Sequence, residues 1–152
     1  MLGRLTRWLR ILGQDVKYSN KLDDAALITA AKKERRILLT RDLELYRQAT
    51  AKGIETLYVQ ASSGEEKLAE VAKRYKIEIA INMATSRCPK CNSRLRAVSK
   101  DRVVDKVAEG TFAHYEEFWA CRGCGQVYWQ GAHWKGIREM FEKTRKTLGI
   151  VR

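Results

Sequence analysis

Four cysteines have the clearest chemistry in this chain, and they form two pairs, each with two residues between its members. The pairs are Cys88 with Cys91 and Cys121 with Cys124. Each CxxC turn aims two thiolates at one point, and two such turns supply the four sulfur ligands of a tetrahedral Zn²⁺ site. Because cysteines fill all four positions and leave none for water, the pattern predicts a structural zinc rather than a catalytic one.

Two other kinds of site share this residue pattern, namely an iron–sulfur cluster and a redox-active dithiol pair. The spacing within each pair favours zinc over both. The stretch from Cys91 to Cys121 is longer than usual for such a site. We therefore expect an extended hairpin or an inserted loop between the two cysteine turns.

A second group of candidates lies where an apolar run is followed by charged side chains, in RILLTRDLEL at residues 36–45. Asp42 follows a predicted strand, at the edge where open parallel sheets bind ligands. Asp23 and Asp24 hold a similar place at the start of an earlier helix. Acids on neighbouring loops are the oxygen ligands that Mg²⁺ and Mn²⁺ take. An aspartate there is also a common helix N-cap, so both roles stay open for each acid.

The elements that must position these acids alternate between helix and strand. Short continuous apolar runs between amphipathic helices are typical of a parallel sheet covered on both faces. The pattern therefore predicts an α/β domain over residues 1–83. Its predicted helices cover residues 2–13, 23–35, 43–52 and 64–75, and its predicted strands cover residues 16–18, 37–40 and 54–60.

After residue 84 the pattern changes to that of a small β domain. Segments with strand propensity follow the cysteine pairs at 94–98 and 127–129, and a basic helix is predicted at 133–148. Residues 84–152 are thus predicted to form a second domain. We expect Tyr128, Trp129 and Trp134 to build a small core between the cysteine turns and the last helix, with base stacking as the alternative. His133 is expected to be a packing or capping residue.

The charge balance indicates a polyanionic partner. The 152 residues include 30 Lys and Arg against 18 Asp and Glu, a net charge of +12. Nucleic acid is the favoured partner, because each neutralised phosphate releases condensed counterions. A surface stabilised by ion-pair networks is the alternative. No apolar run reaches the ~20 residues of a membrane span, and no signal peptide is recognisable, so we expect a cytoplasmic protein without a membrane partner.

Several basic residues are candidates for contacts with nucleic acid. Three arginines recur every third residue in the first predicted helix, which suits phosphate contacts, although a merely solvated face fits equally well. One arginine adjoins Asp42, and three cations lie on the last helix without a sign of base specificity. The candidates are Arg4, Arg7, Arg10, Arg41, Lys143, Arg145 and Lys146.

Five stretches together resemble the Mut-seven carboxy-terminal ribonuclease family, and they occur in order over nearly the whole chain. They are MLGRLTRWLRILGQDV, LDDAALITAA, RRILLTRDLEL, RCPKCNSRL and CRGCGQVYWQGAHW. The resemblance implies an α/β, PIN-like nuclease domain with an open, mostly parallel sheet flanked by helices. It implies a small C-terminal zinc ribbon and a final helix after that domain, and metal-dependent hydrolysis of RNA by clustered acids.

The resemblance also implies roles for single residues. Asp42 matches the family's strand-end acid, and Asp24 or its neighbour Asp23 matches another. Glu44 is expected to assist in holding Mg²⁺ or Mn²⁺, and Thr40 to order a water or a phosphate oxygen. In the family a first strand ending in aspartate precedes the stretch that resembles MLGRLTRWLRILG. We therefore expect the natural reading frame to continue in front of Met1 with an apolar strand ending in Asp.

The expected function is an RNA endonuclease that prefers single strands, with ribosomal or precursor RNA as its partner. A neighbouring hypothesis resembles the PIN-plus-ribbon nuclease that trims precursors of small-subunit ribosomal RNA. The alternative from another class is a non-catalytic RNA- or ribosome-binding zinc-ribbon protein, in which the ribbon and the basic helices do the binding.

Overall fold

The computed structural model describes residues 2–150 and shows a mixed α/β protein. That range contains six α-helices, a two-stranded parallel sheet and a three-stranded antiparallel sheet. The helices are α1 (Gly3–Ile11), α2 (Asp24–Glu34), α3 (Leu43–Ala51), α4 (Gly64–Tyr75), α5 (Glu109–His114) and α6 (His133–Thr147). The strands are β1 (Leu38–Thr40), β2 (Thr56–Tyr58), β3 (Leu95–Val98), β4 (Phe118–Cys121) and β5 (Val127–Tyr128), and a 3₁₀ turn covers Lys100–Val103.

Helix α4 begins and ends as its charge pattern predicts. In α4, Ser63 caps the amino end by accepting from the Glu66 N–H at 3.2 Å. Acids occupy the first turn and cations the last, which complements the helix dipole. The helix ends at Lys76, whose backbone is left-handed with φ 55°. The sequence prediction of a helix at 64–75 is confirmed at both ends.

The parallel sheet consists of β1 and β2, joined by α3 as a crossover. Leu38 lies opposite Thr56, and Thr40 lies opposite Tyr58. Both strands were predicted, with longer bounds. Within residues 2–150 this sheet has two strands, so the wider open sheet of a PIN-like domain stays a prediction.

The predicted strand at residues 16–18 is wrong. This segment pairs with no strand in the described part of the chain. Side chains hold the backbone of Val16 instead: its N–H donates to Asn92 Oδ1 at 3.0 Å, and its carbonyl accepts from Arg10. Because both polar groups of Val16 are satisfied this way, neither is free for a sheet ladder.

The main apolar core lies between α1, α4, α6 and the small parallel sheet. Its buried members include Leu5, Leu9, Val59, Leu68, Val71, Trp134 and Phe141. Trp134 therefore packs with the first part of the chain, and the expectation that it packs between the ribbon and α6 is wrong in this respect. Burial of large apolar side chains from both ends of the sequence joins α6 to the α/β layer.

A three-stranded antiparallel sheet carries the cysteine turns, with strand order β3–β4–β5. The long stretch between β3 and β4 holds the 3₁₀ turn and α5, which is the expected insertion. Val103, Phe118 and Val127 form a separate small core, with Trp129 packed against it. The division of the chain near residue 84 stays a prediction. Among the helices of residues 2–150, none is both long and apolar enough to cross a membrane.

Candidate metal centre and nucleic-acid interface

The four predicted zinc ligands converge on one point. The Sγ atoms of the cysteines all lie within 4.8 Å of one another. Cys91 and Cys121 are 3.3 Å apart, and Cys88 and Cys124 are 3.8 Å apart. Sulfurs around a tetrahedral zinc with ~2.3 Å bonds lie about 3.8 Å from each other. Both the donor set and the spacing therefore fit Zn²⁺, and the chain holds a possible zinc site.

The backbone of each cysteine turn supports its sulfurs. In the second turn, the N–H groups of Gly123 and Cys124 donate to Cys121 Sγ, both at 3.3 Å. Cys88 is buried, and its Sγ lies 3.0 Å from the hydroxyl oxygen of Tyr128. Burial raises the pKa of Cys88 to about 11, while hydrogen bonds from Ser93 lower the pKa of Cys91 to about 6. Since zinc binds thiolates, metal binding releases protons here.

The carboxyl end of β1 brings Thr40 and Asp42 together. Thr40 is buried, and its Oγ1 accepts from the Asp42 N–H at 3.0 Å. Asp42 caps α3, because its Oδ1 accepts from the N–H groups of Glu44 at 2.9 Å and Leu45 at 3.2 Å. The acid therefore sits where an open α/β sheet places a ligand, and it also fulfils the capping alternative.

Asp23 is likewise a helix cap. Its Oδ1 accepts from the Ala26 N–H at 2.8 Å at the start of α2. Asp24 is half-buried in the first turn of the same helix. Glu44 lies on the surface of α3, where its carboxylate accepts from the Gln48 side chain at 3.2 Å. The local bonds of Asp23 and Glu44 occupy part of these two carboxylates, and a role of the three acids in binding a metal stays a prediction.

A cavity of ≈ 700 Å³ lies beside β1. Leu5 and Leu9 of α1 line its apolar wall, and Thr40, Arg41 and Asp42 line its end. The other three predicted acids, Asp23, Asp24 and Glu44, are not among its lining residues in the described part of the chain. Of the predicted catalytic residues, Thr40 and Asp42 therefore share one concave site.

The acids near this cavity do not form a ready-made cage. Within residues 2–150, the cysteines are the one group of three or more His, Cys, Asp or Glu side chains close enough to share an ion. Mg²⁺ usually binds through one or two carboxylates together with waters and substrate phosphates. The residues present thus fit an ion bound jointly with a phosphate, and they do not fit a site built by protein ligands alone.

Two acids that the sequence did not single out line the same cavity, and both are paired with cations. Asp15 accepts from Arg36 at 3.2 Å, which holds the pKa of that carboxyl below its usual range. Glu34 pairs with Lys17, and this hydrogen bond lowers the pKa of Glu34. Nothing local distinguishes Asp15 in the sequence, since both its partners are distant along the chain.

The three arginines of α1 do not share one environment. Arg4 and Arg7 are exposed, whereas Arg10 is 8% exposed, and burial lowers its pKa. Arg10 donates to the carbonyls of Val16 and Pro89. A three-residue step falls short of the 3.6 residues of a helical turn, so the third arginine rotates toward the buried side. Arg10 lies one turn after buried Thr6.

The remaining basic candidates are partly engaged within the protein. Lys143 and Lys146 are exposed on α6, although Lys146 lies 4.0 Å from Glu142. Arg145 is half-buried and donates to the carbonyl of Ile79 at 2.6 Å. Arg41 donates to the carbonyl of Ala61 beside Asp42. Contacts of these residues with RNA stay a prediction.

Comparison with known proteins supplies one match. The model of the family described as the Mut7-C RNAse domain matches residues 1–141. No curated protein and no solved structure matches the chain. The matched range includes β1 with Asp42 and both cysteine pairs, and it extends into α6. The match confirms the resemblance, and the chain therefore belongs to the Mut7-C RNAse domain family.

Proposed function

We propose that the protein is an RNA endonuclease that acts on single-stranded RNA in the cavity beside β1. The observation that carries the proposal is the family membership over residues 1–141, which indicates a nuclease-like function related to RNA. The position of Asp42 supports it, because this acid lies at the carboxyl end of a parallel strand and lines the cavity.

Asp42, which lines the cavity, would hold Mg²⁺ or Mn²⁺ together with a phosphate of the RNA, while Asp24, Asp23 and Glu44, which do not line it, stay candidates for assistance. When bound, such an ion neutralises charge on the scissile phosphate and makes water a better nucleophile. The Thr40 hydroxyl accepts from the Asp42 N–H. Its own hydrogen is then directed to a water or a phosphate oxygen, which Thr40 orients.

Exposed cations would bind the rest of the RNA. Arg4 and Arg7 on α1, and Lys143 and Lys146 on α6, are exposed, which supports a role in neutralising phosphates without reading bases. The zinc ribbon aids this binding, and we propose ribosomal or precursor RNA as the substrate class. We leave Arg10 out of these contacts, because it is buried and donates three hydrogen bonds within the protein.

The test is cleavage of an end-labelled single-stranded RNA by the zinc-loaded protein with Mn²⁺, Mg²⁺ or a chelator. Asp42→Asn should lower the rate by on the order of 100-fold or more, because metal-held charge at the transition state is worth several kcal/mol. Asparagine also caps helices, so the fold and the RNA affinity should persist. Asp101→Asn, on the exposed 3₁₀ turn, is the matched control and should cleave like the natural chain. Undiminished cleavage by Asp42→Asn would contradict the role of Asp42.

A second function is favoured by the lack of a ready-made acid cage in residues 2–150. In that case the protein is a non-catalytic RNA- or ribosome-binding module. The same experiment separates the two functions. A binding module binds RNA with every metal and never cuts it, and Asp42→Asn leaves its RNA affinity unchanged.

A further inference from the structure

A chain of polar contacts joins the first cysteine turn to the wall of the cavity. It starts at Asn92, the residue after Cys91. Asn92 Nδ2 donates to Asp15 Oδ1 at 2.7 Å, and Asn92 Oδ1 accepts from the Val16 N–H at 3.0 Å. Asp15 in turn accepts from both terminal nitrogens of Arg36 at 3.2 Å. Arg36 lies two residues before β1, so the contacts run from the metal site toward the strand that ends at Thr40.

The backbone shows that the cysteine turn itself does not require this side chain. Asn92 has a left-handed conformation with φ 75°, and Gly125, the matching residue after Cys124, has φ 77°. Glycine adopts this conformation without strain, whereas other residues rarely do. A Cβ on Gly125 would meet nothing within 4 Å. The second turn thus works without a side chain, and the first turn carries one whose two polar ends both reach the cavity wall.

A second set of bonds holds the same wall from the other side. Buried Arg10 donates to the Val16 carbonyl through Nε at 2.9 Å and Nη2 at 2.8 Å. Its Nη1 donates to the carbonyl of Pro89, inside the first cysteine turn, at 2.9 Å. The position of residues 15–16 therefore depends on the first cysteine turn through Asn92 and through Arg10. Asp15 and Val16 both line the cavity.

We propose that Asn92 is a positioning residue that couples zinc binding to the order of the cavity wall at Asp15 and Val16. Zinc fixes the first cysteine turn, and Asn92 transmits this fixed position to the two residues. Coupling is reciprocal, so disruption of the wall must weaken zinc binding by the same factor by which zinc strengthens the wall. The importance of this wall for RNA rests on the proposed function, whereas the coupling does not.

The first variant is Asn92→Gly, which keeps the left-handed backbone and removes both side-chain bonds. Each hydrogen bond contributes a factor of roughly 2 to 10, so we expect the Val16 amide to exchange with deuterium about 10-fold faster in zinc-loaded protein. Zinc affinity, measured by competition with a chelator, should fall by a similar factor. Gly125→Asn is the matched control at the other turn, and it should leave the Val16 exchange rate unchanged.

The second variant alters the far side of the contact. Asp15→Ala should also weaken zinc binding, although Asp15 lies outside the cysteine turns, and Asp15→Asn should restore it because asparagine keeps an acceptor for Asn92. The double variant Asn92→Gly with Asp15→Ala should bind zinc no more weakly than Asn92→Gly alone. Glu55→Ala is the control, since it breaks an exposed ion pair with Arg74 that shares no hydrogen bond with Asn92, Asp15 or Arg36.

Additive losses in the double variant, or an unchanged zinc affinity in Asp15→Ala, would overturn the proposal. An equal loss in Glu55→Ala would show general destabilisation instead of coupling, and would overturn it too. None of these measurements involves RNA cleavage. An inactive protein with coupled variants would therefore refute the proposed function alone, and an active protein with uncoupled variants would refute this inference alone.

Discussion

Asp15 and Arg36 form a forked ion pair at the edge of the cavity. Their side chains are 47% and 27% exposed, so the pair adds little to the overall stability of the protein. Its effect is geometric, because two parallel N–H bonds fix the carboxylate that Asn92 also contacts. The same hydrogen bonds lower the pKa of Asp15.

We predict that the pKa of Asp15 lies below the ~3.9 of a free aspartate. The hydrogen bond from Arg36 is the largest cause, followed by that from Asn92. Because the folded-state pKa is lowered, the stabilisation is present above the free value and is lost as the pH falls through the folded value. Arg36→Gln should raise the pKa of Asp15, as measured by NMR of its side-chain carboxyl. An identical titration in both proteins would contradict the pairing.

The roles of single residues were predictable from the sequence where they depend on neighbours along the chain. Asp42 follows an apolar run and precedes a helix, and both its place and its capping role follow from that pattern. The burial of Arg10 could not be predicted because its partners, Val16 and Pro89, lie in a loop and in the cysteine turn. The contacts of Asn92 were missed because it reaches residues 76 and 77 positions away.

At the scale of elements, three helices meet around Gly64, the first residue of α4. A Cβ placed there would lie 2.6 Å from the Trp8 ring of α1 and 3.4 Å from Met140 of α6. The absence of a side chain therefore permits the close approach of α1 and α4. Gly136 on α6 offers the contrast, because a Cβ there would meet nothing within 4 Å.

Gly64→Ala should lower the free energy of unfolding by about 1–3 kcal/mol, since an overpacked contact forces neighbouring side chains to shift. Gly136→Ala should instead raise it by roughly 0.5–1 kcal/mol, because alanine is favoured over glycine inside a helix. Urea unfolding of both variants provides the comparison. Equal effects of the two substitutions would show that the Trp8 contact does not limit the packing.

The three-stranded sheet that carries the cysteine turns should depend on a bound metal. Metal analysis of purified protein should find about one Zn²⁺ per chain, because four thiolates make one tetrahedral set. Removal of the metal by a strong chelator should abolish the amide protection of β3 and β4, while protection in α4 persists. Cys91→Ser should have the same effect without a chelator. A metal-free protein with an intact ribbon would refute this prediction.

Most elements of the α/β layer could be predicted because their signals are local: charge patterns, caps and apolar runs. The helix at 64–75 and the strands flanking α3 are examples. The segment at 16–18 has the same residue types as a strand. The side chains of Asn92 and Arg10, however, form hydrogen bonds with the backbone of Val16. The packing of α6 on the α/β layer was likewise missed, since a periodic apolar face does not specify its partner.

The whole molecule carries its net charge of +12 on both the α/β layer and the ribbon. Binding to single-stranded RNA should weaken steeply with salt, with log K falling by ~0.7 for each neutralised phosphate per unit of log salt. A titration from low to high salt, followed by fluorescence anisotropy, measures this slope. A flat response would show that the basic surface has another use.

Two double variants that remove equal charge from different helices can show whether the position of the charge or only its amount determines RNA binding. Lys143→Ala with Lys146→Ala should reduce the salt slope by up to about 1.4 and weaken all RNA sequences alike. Lys32→Ala with Lys33→Ala, at the end of α2, removes the same charge elsewhere and should have a smaller effect. If both pairs weaken binding equally, net charge alone explains it and α6 is not a specific RNA-binding surface.

The place of α6 in the main core also sets the order in which a nascent chain can mature. Trp134 and Phe141 complete the apolar cluster that α1 and α4 begin, and the whole ribbon lies between α4 and α6 along the sequence. On the ribosome, all four cysteines emerge before these two aromatic residues. Since segments fold as units during synthesis, the ribbon can take up its metal while the core at the amino end is still open. Vectorial synthesis thus keeps the core at the amino end open until α6 has emerged, after both cysteine turns, and the docking of α6 is the last step in closing that core.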